Sequence, residues 1–345
     1  MNEPRLDNLD PCLLGRQGNG LRVTMPIGVY CPMRCKHCYQ QGTAKYSIDL
    51  ATNVHSLIRM GEAGVTKLYW DGTEPTTNPD IPLYLNAISH MKQKKPDVFE
   101  RVSIATNGIY VTEEKAEEFF SLGLKNIMVS LDGIKGTHDS FRQPGAYDSA
   151  IKAMRILVNA GYDVRVGTTI WSGSIKELDC IAKTASDLGA KEVALNWMQP
   201  VGSALDHKEL LIANENYQSV CDMIERVISD NPRIMINFHR GRSVDSSKQC
   251  RGGSLISYIS GEYVWPCSWI STVAPEFRSE MTLKNHGLQD ILDNDPVLNK
   301  FKDLSRKMNS EGGFCPALCK IYNGDFKGPD PLSESGIHRI NQKPI

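Results

Sequence analysis

The chain lacks an excess of charge of either sign. Across 345 residues, 39 Lys and Arg are balanced by 40 Asp and Glu, which gives a formal net charge of −1. Proteins that bind nucleic acid usually carry a basic surface, because the phosphate backbone is their main partner. The charge balance therefore predicts a protein with no nucleic-acid partner.

Long apolar runs are missing as well. The first residues, MNEPRLDNLDPCLLG, contain no stretch suited to a signal peptide or a membrane span. Hydrophobic residues make up 41% of the chain and charged residues 23%, as in ordinary soluble globular proteins. We therefore expect a cytoplasmic protein with no membrane partner.

Cysteine, in contrast, is abundant, with ten residues in the chain. Disulfides are rare in a reducing compartment, so metal binding or catalysis is the favoured role. Cys31, Cys35 and Cys38 lie within eight residues of each other. Four more lie in the last hundred residues, at Cys250, Cys267, Cys315 and Cys319, and three stand alone, at Cys12, Cys180 and Cys221.

Short apolar strands alternate with amphipathic helices over the first two hundred residues. The predicted strands are 21–30, 65–72, 101–108, 126–133, 164–170 and 192–200. Six β/α units in a row predict a parallel sheet that curls into a partial (β/α)6 barrel with helices packed outside. Functional groups then belong in the loops that follow the strands.

The pattern changes after residue 200. We predict a helix over 214–230, a β-hairpin over 254–269 that turns near Gly261, and a helix near 287–308. The predicted division has an N-terminal extension (1–20), the barrel (21–205), a linking helix (206–235), a small α+β domain that carries the last four cysteines (236–325) and a loose tail (326–345).

The segment GVYCPMRCKHCYQQ places three thiols in one tight loop after the first strand. Thiolates suit zinc and iron–sulfur clusters. Three sulfurs can hold three corners of a four-iron cluster and leave one iron open, which is typical of a catalytic centre. A zinc site completed by His37 is the alternative, but it would place adjacent residues on one ion.

This C-x3-C-x2-C loop at the end of a barrel strand resembles the signature of radical S-adenosylmethionine enzymes. In that family the open iron chelates the amino and carboxylate groups of S-adenosylmethionine, and reductive cleavage yields a 5′-deoxyadenosyl radical that abstracts hydrogen from the substrate. The family's Gly-Gly-Glu-Pro segment corresponds to Gly72, Thr73, Glu74 and Pro75, with Thr73 in place of the second Gly. The resemblance implies that this segment holds the methionine amino group.

The resemblance implies further contacts to S-adenosylmethionine at the ends of later strands. The residues concerned are Thr106, Asn107, Ser130, Asp132, Arg142, Thr168, Trp197 and Met198. A purely structural role in turns, or in the core for Trp197, is the alternative at each position. Arg142 and Cys180 are candidate catalytic residues, although the apolar neighbours of Cys180 and Cys221 favour inert helix positions.

The four C-terminal cysteines could close a structural zinc site or a complete four-iron cluster. The spacing Cys250–Gly261–Cys267 resembles the SPASM or shortened twitch domain of radical enzymes. The resemblance implies one auxiliary cluster that transfers electrons, and hence two 4Fe–4S clusters besides S-adenosylmethionine.

The single auxiliary cluster favours a small hydroxylated metabolite as substrate, of the sugar, aminocyclitol or nucleoside type. Oxidation, epimerisation, dehydration and decarboxylation all stay open as outcomes, and a flavodoxin or ferredoxin is the expected electron donor. Modification of a ribosomal peptide or protein is the second hypothesis. A non-catalytic iron–sulfur or zinc protein is the third.

Overall fold

One sheet of nine strands organises the protein within residues 20–40, 48–238, 250–310 and 315–327, which this computed structural model describes. Cys12, most of the predicted extension and nearly all of the predicted tail lie outside these ranges. The strands are Leu21–Pro26 (β1), Val65–Asp71 (β2), Arg101–Thr106 (β3), Asn126–Ser130 (β4), Asp163–Ile170 (β5), Glu192–Trp197 (β6), Met235–Phe238 (β7), Ile256–Ser260 (β8) and Tyr263–Trp265 (β9). Their order is β7-β6-β5-β4-β3-β2-β1-β8-β9, and every neighbouring pair is parallel except β8 with β9.

The described helices are Leu50–Glu62 (α1), Ile81–Lys94 (α2), Glu113–Ser121 (α3), Lys135–Phe141 (α4), Ala146–Asn159 (α5), Leu178–Asp187 (α6), Tyr217–Asp230 (α7), Ser268–Val273 (α8), Leu288–Asn294 (α9), Pro296–Ser310 (α10) and Pro316–Asn323 (α11). Local chemistry sets several boundaries. Thr112 begins α3 by accepting a hydrogen bond from the Lys115 backbone N–H at 3.3 Å. None of the described helices combines the length and the apolar character needed to cross a membrane.

The two faces of the sheet differ in chemistry. Val23, Met25 and their counterparts on the other strands join one large apolar core with residues of the helices. Side chains alternate along a strand, so the residues between them point to the opposite, concave face. That face carries polar and charged residues, and we call the space above it the lumen.

The partial barrel predicted from the β/α alternation is confirmed, and the structure extends it at both edges. α7 covers 217–230, within the helix predicted over 214–230, and β7 then pairs in parallel with β6. The predicted hairpin does form, as β8 and β9, but β8 pairs in parallel with β1. The C-terminal residues therefore continue the barrel sheet, and the division into separate domains stays a prediction.

The helix predicted near 287–308 is two helices. The Asp295 carboxylate accepts hydrogen bonds from the Val297 and Leu298 backbone N–H groups at 3.0 and 2.9 Å, and Pro296 opens α10. A side chain that accepts such hydrogen bonds and is followed by proline is a strong start signal for a helix. One helix therefore ends at Asn294 and the next begins at Pro296.

Candidate active site

The three-cysteine loop leaves the sheet at the C-terminal end of β1. Cys35 is buried, and Cys31 and Cys38 are partly buried. The three thiols share a small apolar cluster with Met33 and Ala146. The strand end thus presents three sulfurs together, as the spacing predicts.

Two side chains, one from the end of β3 and one from the end of α4, approach these sulfurs. The Asn107 amide nitrogen lies 3.7 Å from the Cys31 sulfur, and an Arg142 guanidinium nitrogen lies 3.9 Å from the Cys35 sulfur. Burial raises the pKa of the Cys35 thiol to about 11, while the Arg142 charge opposes that rise. A metal overcomes such a raised pKa, because thiolates bind in deprotonated form.

The loop fits a four-iron cluster. Among the described residues, no three His, Cys, Asp or Glu side chains converge closely enough for a single metal ion. A cluster attaches each thiolate to a different iron, so its sulfurs need not converge on one point. N–H donors and a cation beside the sulfurs suit its negative charge.

Asp132 fixes Arg142 beside the cluster loop. The Asp132 carboxylate is completely buried, pairs with the Arg142 guanidinium, and accepts a 2.7 Å hydrogen bond from the Thr169 backbone N–H. The Arg142 charge holds the pKa of Asp132 below its usual range in spite of burial. Asp132 therefore acts as an anion that positions the arginine.

A stack of three rings, which the sequence did not reveal, supports the same loop. The His37 ring lies 4.5 Å from the Phe141 ring, and Phe141 lies 4.5 Å from Trp171 on its other side. Burial lowers the pKa of His37 to about 3, so this ring packs in its neutral form.

The Gly72–Thr73 turn keeps a left-handed backbone despite its threonine. The φ angle is 82° at Gly72 and 43° at Thr73, a region that β-branched residues rarely adopt. The Gln40 side-chain oxygen accepts a 2.6 Å hydrogen bond from the Thr73 backbone N–H. The turn also lies directly against Gly28, where a Cβ would come within 2.2 Å of the Gly72 oxygen. Strain is typical of functional turns when surrounding contacts hold it.

The Glu74 carboxylate is occupied by the protein itself. It is 1% exposed and accepts hydrogen bonds from the Thr76 and Thr106 hydroxyl groups and from the Thr76 and Asn107 backbone N–H groups. These hydrogen bonds within the protein therefore compete with the predicted contact between this carboxylate and a methionine amine.

Three other predicted contact residues are Ser130, Met198 and Thr168. Ser130 and Met198 lie at the ends of β4 and β6, where Met198 packs with Phe141 and Trp171. Thr168 donates its hydroxyl hydrogen to the Leu131 carbonyl at 2.7 Å, which gives it a structural use.

Trp197 stacks on Tyr217 at 4.8 Å and meets Phe238 edge to face at 5.5 Å. These contacts favour a role for Trp197 in the core over a contact with S-adenosylmethionine.

The structure does not favour Cys180 as a catalytic residue. α6 packs on the sheet through Ile181, Ala182 and Ala185, whereas Cys180 is exposed on the side away from it. A thiol that donates hydrogen to a substrate must face the lumen, which this position cannot do.

The C-terminal cysteines gather at the other end of the parallel strands. Cys250, Cys267 and Cys315 surround a second apolar cluster that includes Phe301. Burial and the neighbouring Cys250 and Cys315 thiols raise the pKa of Cys267. Cys319 is fully buried one helical turn after Cys315 in α11. This donor set fits an auxiliary cluster, whose presence stays a prediction.

Tyr39 connects the two ends of the lumen. Its hydroxyl donates to the Asp71 carboxylate at 3.2 Å, and its ring lies 5.7 Å from the Trp269 ring. Cys38 precedes Tyr39, and Trp269 follows Cys267 by two residues. Burial raises the pKa of Asp71 to about 7.

Comparison with known proteins agrees with this geometry. Residues 25–188 match the model of the Radical SAM superfamily. The resemblance noted in the three-cysteine loop is thereby confirmed. The match implies a 4Fe–4S cluster and binding of S-adenosylmethionine.

Relatives extend along most of the chain. The chain is 23% identical over 313 residues to the AdoMet-dependent heme synthase of Methanosarcina barkeri, covering 83% of this chain and 85% of that protein. It is 24% identical over 341 residues to the mycofactocin maturase MftC of Mycobacterium tuberculosis, covering 91% and 83%.

The fold is similar to that of SuiB from Streptococcus suis. The structure of SuiB bound to S-adenosylmethionine matches with a TM-score of 0.70 and 13% identity, covering 91% of this chain and 77% of that one. The structure of SuiB bound to its precursor peptide SuiA matches with a TM-score of 0.68 and 14% identity, covering 86% and 72%. At these identities the likeness concerns the fold alone.

Proposed function

We propose that this protein is a radical S-adenosylmethionine enzyme that modifies a peptide. The observation that carries the radical chemistry is the three-thiol loop at the end of β1, beside Arg142 and the strained Gly72–Thr73 turn. The peptide substrate is supported by similarity to a maturase over 91% of the chain and by a fold shared with SuiB. This proposal replaces the small hydroxylated metabolite expected from the sequence, which these relatives do not favour.

Cys31, Cys35 and Cys38 would hold the catalytic cluster, and the Gly72–Thr73 turn would bind the methionine end of S-adenosylmethionine. The bound cofactor supplies one-electron cleavage and hydrogen abstraction. The protein's own part is to keep Arg142 beside the sulfurs through Asp132, and to pack the loop against the His37–Phe141–Trp171 stack.

A second candidate is modification of a tetrapyrrole. It is favoured by similarity to the heme synthase, which covers 85% of that protein's length. Both candidates use the three-cysteine loop and the Gly72–Thr73 turn. They differ in the substrate that the lumen must hold, which is a peptide in the first and a tetrapyrrole in the second.

The test is anaerobic reconstitution of the full chain with iron and sulfide, followed by reduction with dithionite in the presence of S-adenosylmethionine. We expect 5′-deoxyadenosine, together with a mass change in a precursor peptide encoded beside the gene. The peptide and a propionate-bearing porphyrin are offered in parallel. Failure to form 5′-deoxyadenosine with either compound, from protein with intact clusters, would contradict the enzymatic proposal. Modification of the porphyrin alone would transfer it to the second candidate.

A further inference from the structure

Two side chains that follow the last cysteine of the loop hold the Gly72–Thr73 turn from both sides. The Gln40 side-chain oxygen accepts a 2.6 Å hydrogen bond from the Thr73 backbone N–H. The Tyr39 hydroxyl donates to the Asp71 carboxylate at 3.2 Å. Asp71 and Thr73 are the two neighbours of Gly72 in the chain, so Tyr39 and Gln40, which we call the clamp, bracket the turn.

The two members of the clamp are also joined to each other. The Gln40 side-chain nitrogen donates to the Tyr39 hydroxyl oxygen at 3.1 Å. A carboxamide has one acceptor end and one donor end, so the end that meets the Thr73 N–H must be the oxygen. The nitrogen then faces Tyr39, and the Tyr39 hydroxyl hydrogen is left for Asp71. One orientation of Gln40 therefore satisfies both of its neighbours.

The turn needs support from outside because of Thr73. Its φ of 43° lies in the left-handed region, where a β-branched side chain is strained and glycine is not. Such strain persists only where surrounding contacts hold the backbone in place. The Thr73 hydroxyl oxygen is buried and has no hydrogen-bond partner within the part of the chain that the structure describes. The support that Gln40 gives therefore reaches Thr73 through its backbone N–H.

The backbone that carries the clamp is itself fixed. The Cys38 carbonyl accepts a 2.9 Å hydrogen bond from the Ser203 backbone N–H. Gly202 lies directly on the same segment, since a Cβ at this position would clash with the Cys38 carbonyl oxygen and the Tyr39 Cα. The Tyr39 ring also lies 5.7 Å from the Trp269 ring. The clamp is therefore anchored on its own side of the turn.

We infer that Tyr39 and Gln40 are positioning residues, which keep the Gly72–Thr73 turn in the conformation that binds S-adenosylmethionine. This inference rests on the proposed function, because it assigns the clamp to the cofactor turn of the same site. Without Gln40, the Thr73 N–H loses its acceptor and the strained φ is free to relax. A turn that holds the binding conformation for only part of the time binds its ligand more weakly by that fraction.

The experiment measures the affinity of the reconstituted full chain for S-adenosylmethionine by equilibrium dialysis without reductant, so that no cleavage is needed. Gln40→Met keeps the length of the side chain and removes its acceptor and its donor. Tyr39→Phe keeps the ring beside Trp269 and removes the hydroxyl. Each variant should retain its iron and bind S-adenosylmethionine about three- to tenfold more weakly, because the hydrogen bonds it loses contribute about that factor. Gln93→Met, which changes an exposed glutamine on α2, is the matched control and should leave the affinity unchanged.

A second background separates positioning from a general loss of packing. Glycine adopts the φ of Thr73 without strain, so in Thr73→Gly the turn depends less on the clamp. In that background, Gln40→Met should weaken binding by about twofold or less, and the double-mutant cycle measures the difference. A loss of packing alone would weaken binding by the same factor in both backgrounds.

Wild-type affinity in Gln40→Met, or the same loss in both backgrounds, would overturn the inference. If Gln40→Met does not retain its iron, Tyr39→Phe decides by the same two criteria. Wild-type protein that holds its iron but binds no S-adenosylmethionine would remove the proposed function together with this inference. Wild-type binding that none of the clamp variants weakens would remove this inference alone.

Discussion

Replacing Asp132 with Asn tests how much the buried ion pair between Asp132 and Arg142 contributes to stability. The Asp132 side chain is completely buried and that of Arg142 is 10% exposed, so solvent screens the pair little. Asn preserves the shape of Asp132 and its acceptor for the Thr169 backbone N–H. The substitution therefore removes the charge and leaves Arg142 buried without its counter-ion.

The expected loss of stability is large. Removing one partner of a buried ion pair costs about 3–5 kcal/mol. A chain of 345 residues loses roughly 1.4 °C of melting temperature per kcal/mol at the usual unfolding entropy per residue. Asp132→Asn should therefore lower the anaerobic melting temperature by about 4–7 °C, as measured by circular dichroism.

The matched control is Asp303→Asn. Asp303 pairs with Arg306 on the surface of α10, where the two side chains are 72% and 70% exposed. Exposed pairs contribute little, so this variant should shift the melting temperature by about 1 °C or less. If Asp132→Asn shifted it no more than the control, our description of Asp132 as the anchor of Arg142 would be refuted.

Three further predictions concern the site and its supports. Cys38→Ala should remove about four irons and abolish 5′-deoxyadenosine formation, whereas Cys315→Ala should remove about four irons and leave some cleavage. Iron analysis and chromatography check both variants. An unchanged iron content in either variant would contradict the prediction. Gly28→Ala should destabilise the protein by about 1–3 kcal/mol, because its Cβ would lie 2.2 Å from the Gly72 backbone oxygen. Gly136→Ala, whose Cβ would meet open space, should not destabilise it. Equal melting temperatures for the two variants would contradict this. Burial raises the pKa of Asp71 to about 7, above its unfolded value, so wild-type stability should fall as pH rises towards 7 and level off above it. Melting curves between pH 6 and 8 should show this fall relative to Asp71→Asn, and parallel curves for the two proteins would rule it out.

The sequence predicted the six β/α units because each carries its own local signals. The Thr112 cap and the glycine stops lie within the elements they delimit, so no tertiary information is needed. The three-cysteine loop was predictable for the same reason, since its ligands are adjacent in the chain.

Features that depend on strand pairing were not predictable. β7 has only four residues, and the pairing of β8 with β1 joins segments more than two hundred residues apart. The Phe141–Trp171 contact and the Asp132–Arg142 pair likewise bring together residues from different loops. Cys180 lies in a predicted helix, but its sequence neighbours do not say which side of that helix faces the sheet.

The reversal of the chain at β9 explains why two sets of thiols can serve one lumen. Parallel strands deliver their following loops to one end, where Cys31, Cys35 and Cys38 lie. β9 runs antiparallel to β8, so Cys267 emerges at the opposite end, near the level of Ile256 and its strand partner Arg22. The Tyr39–Trp269 contact joins the same two ends through the protein. A further parallel strand in place of β9 would have placed both sets of thiols on one rim and left the other end of the lumen without them.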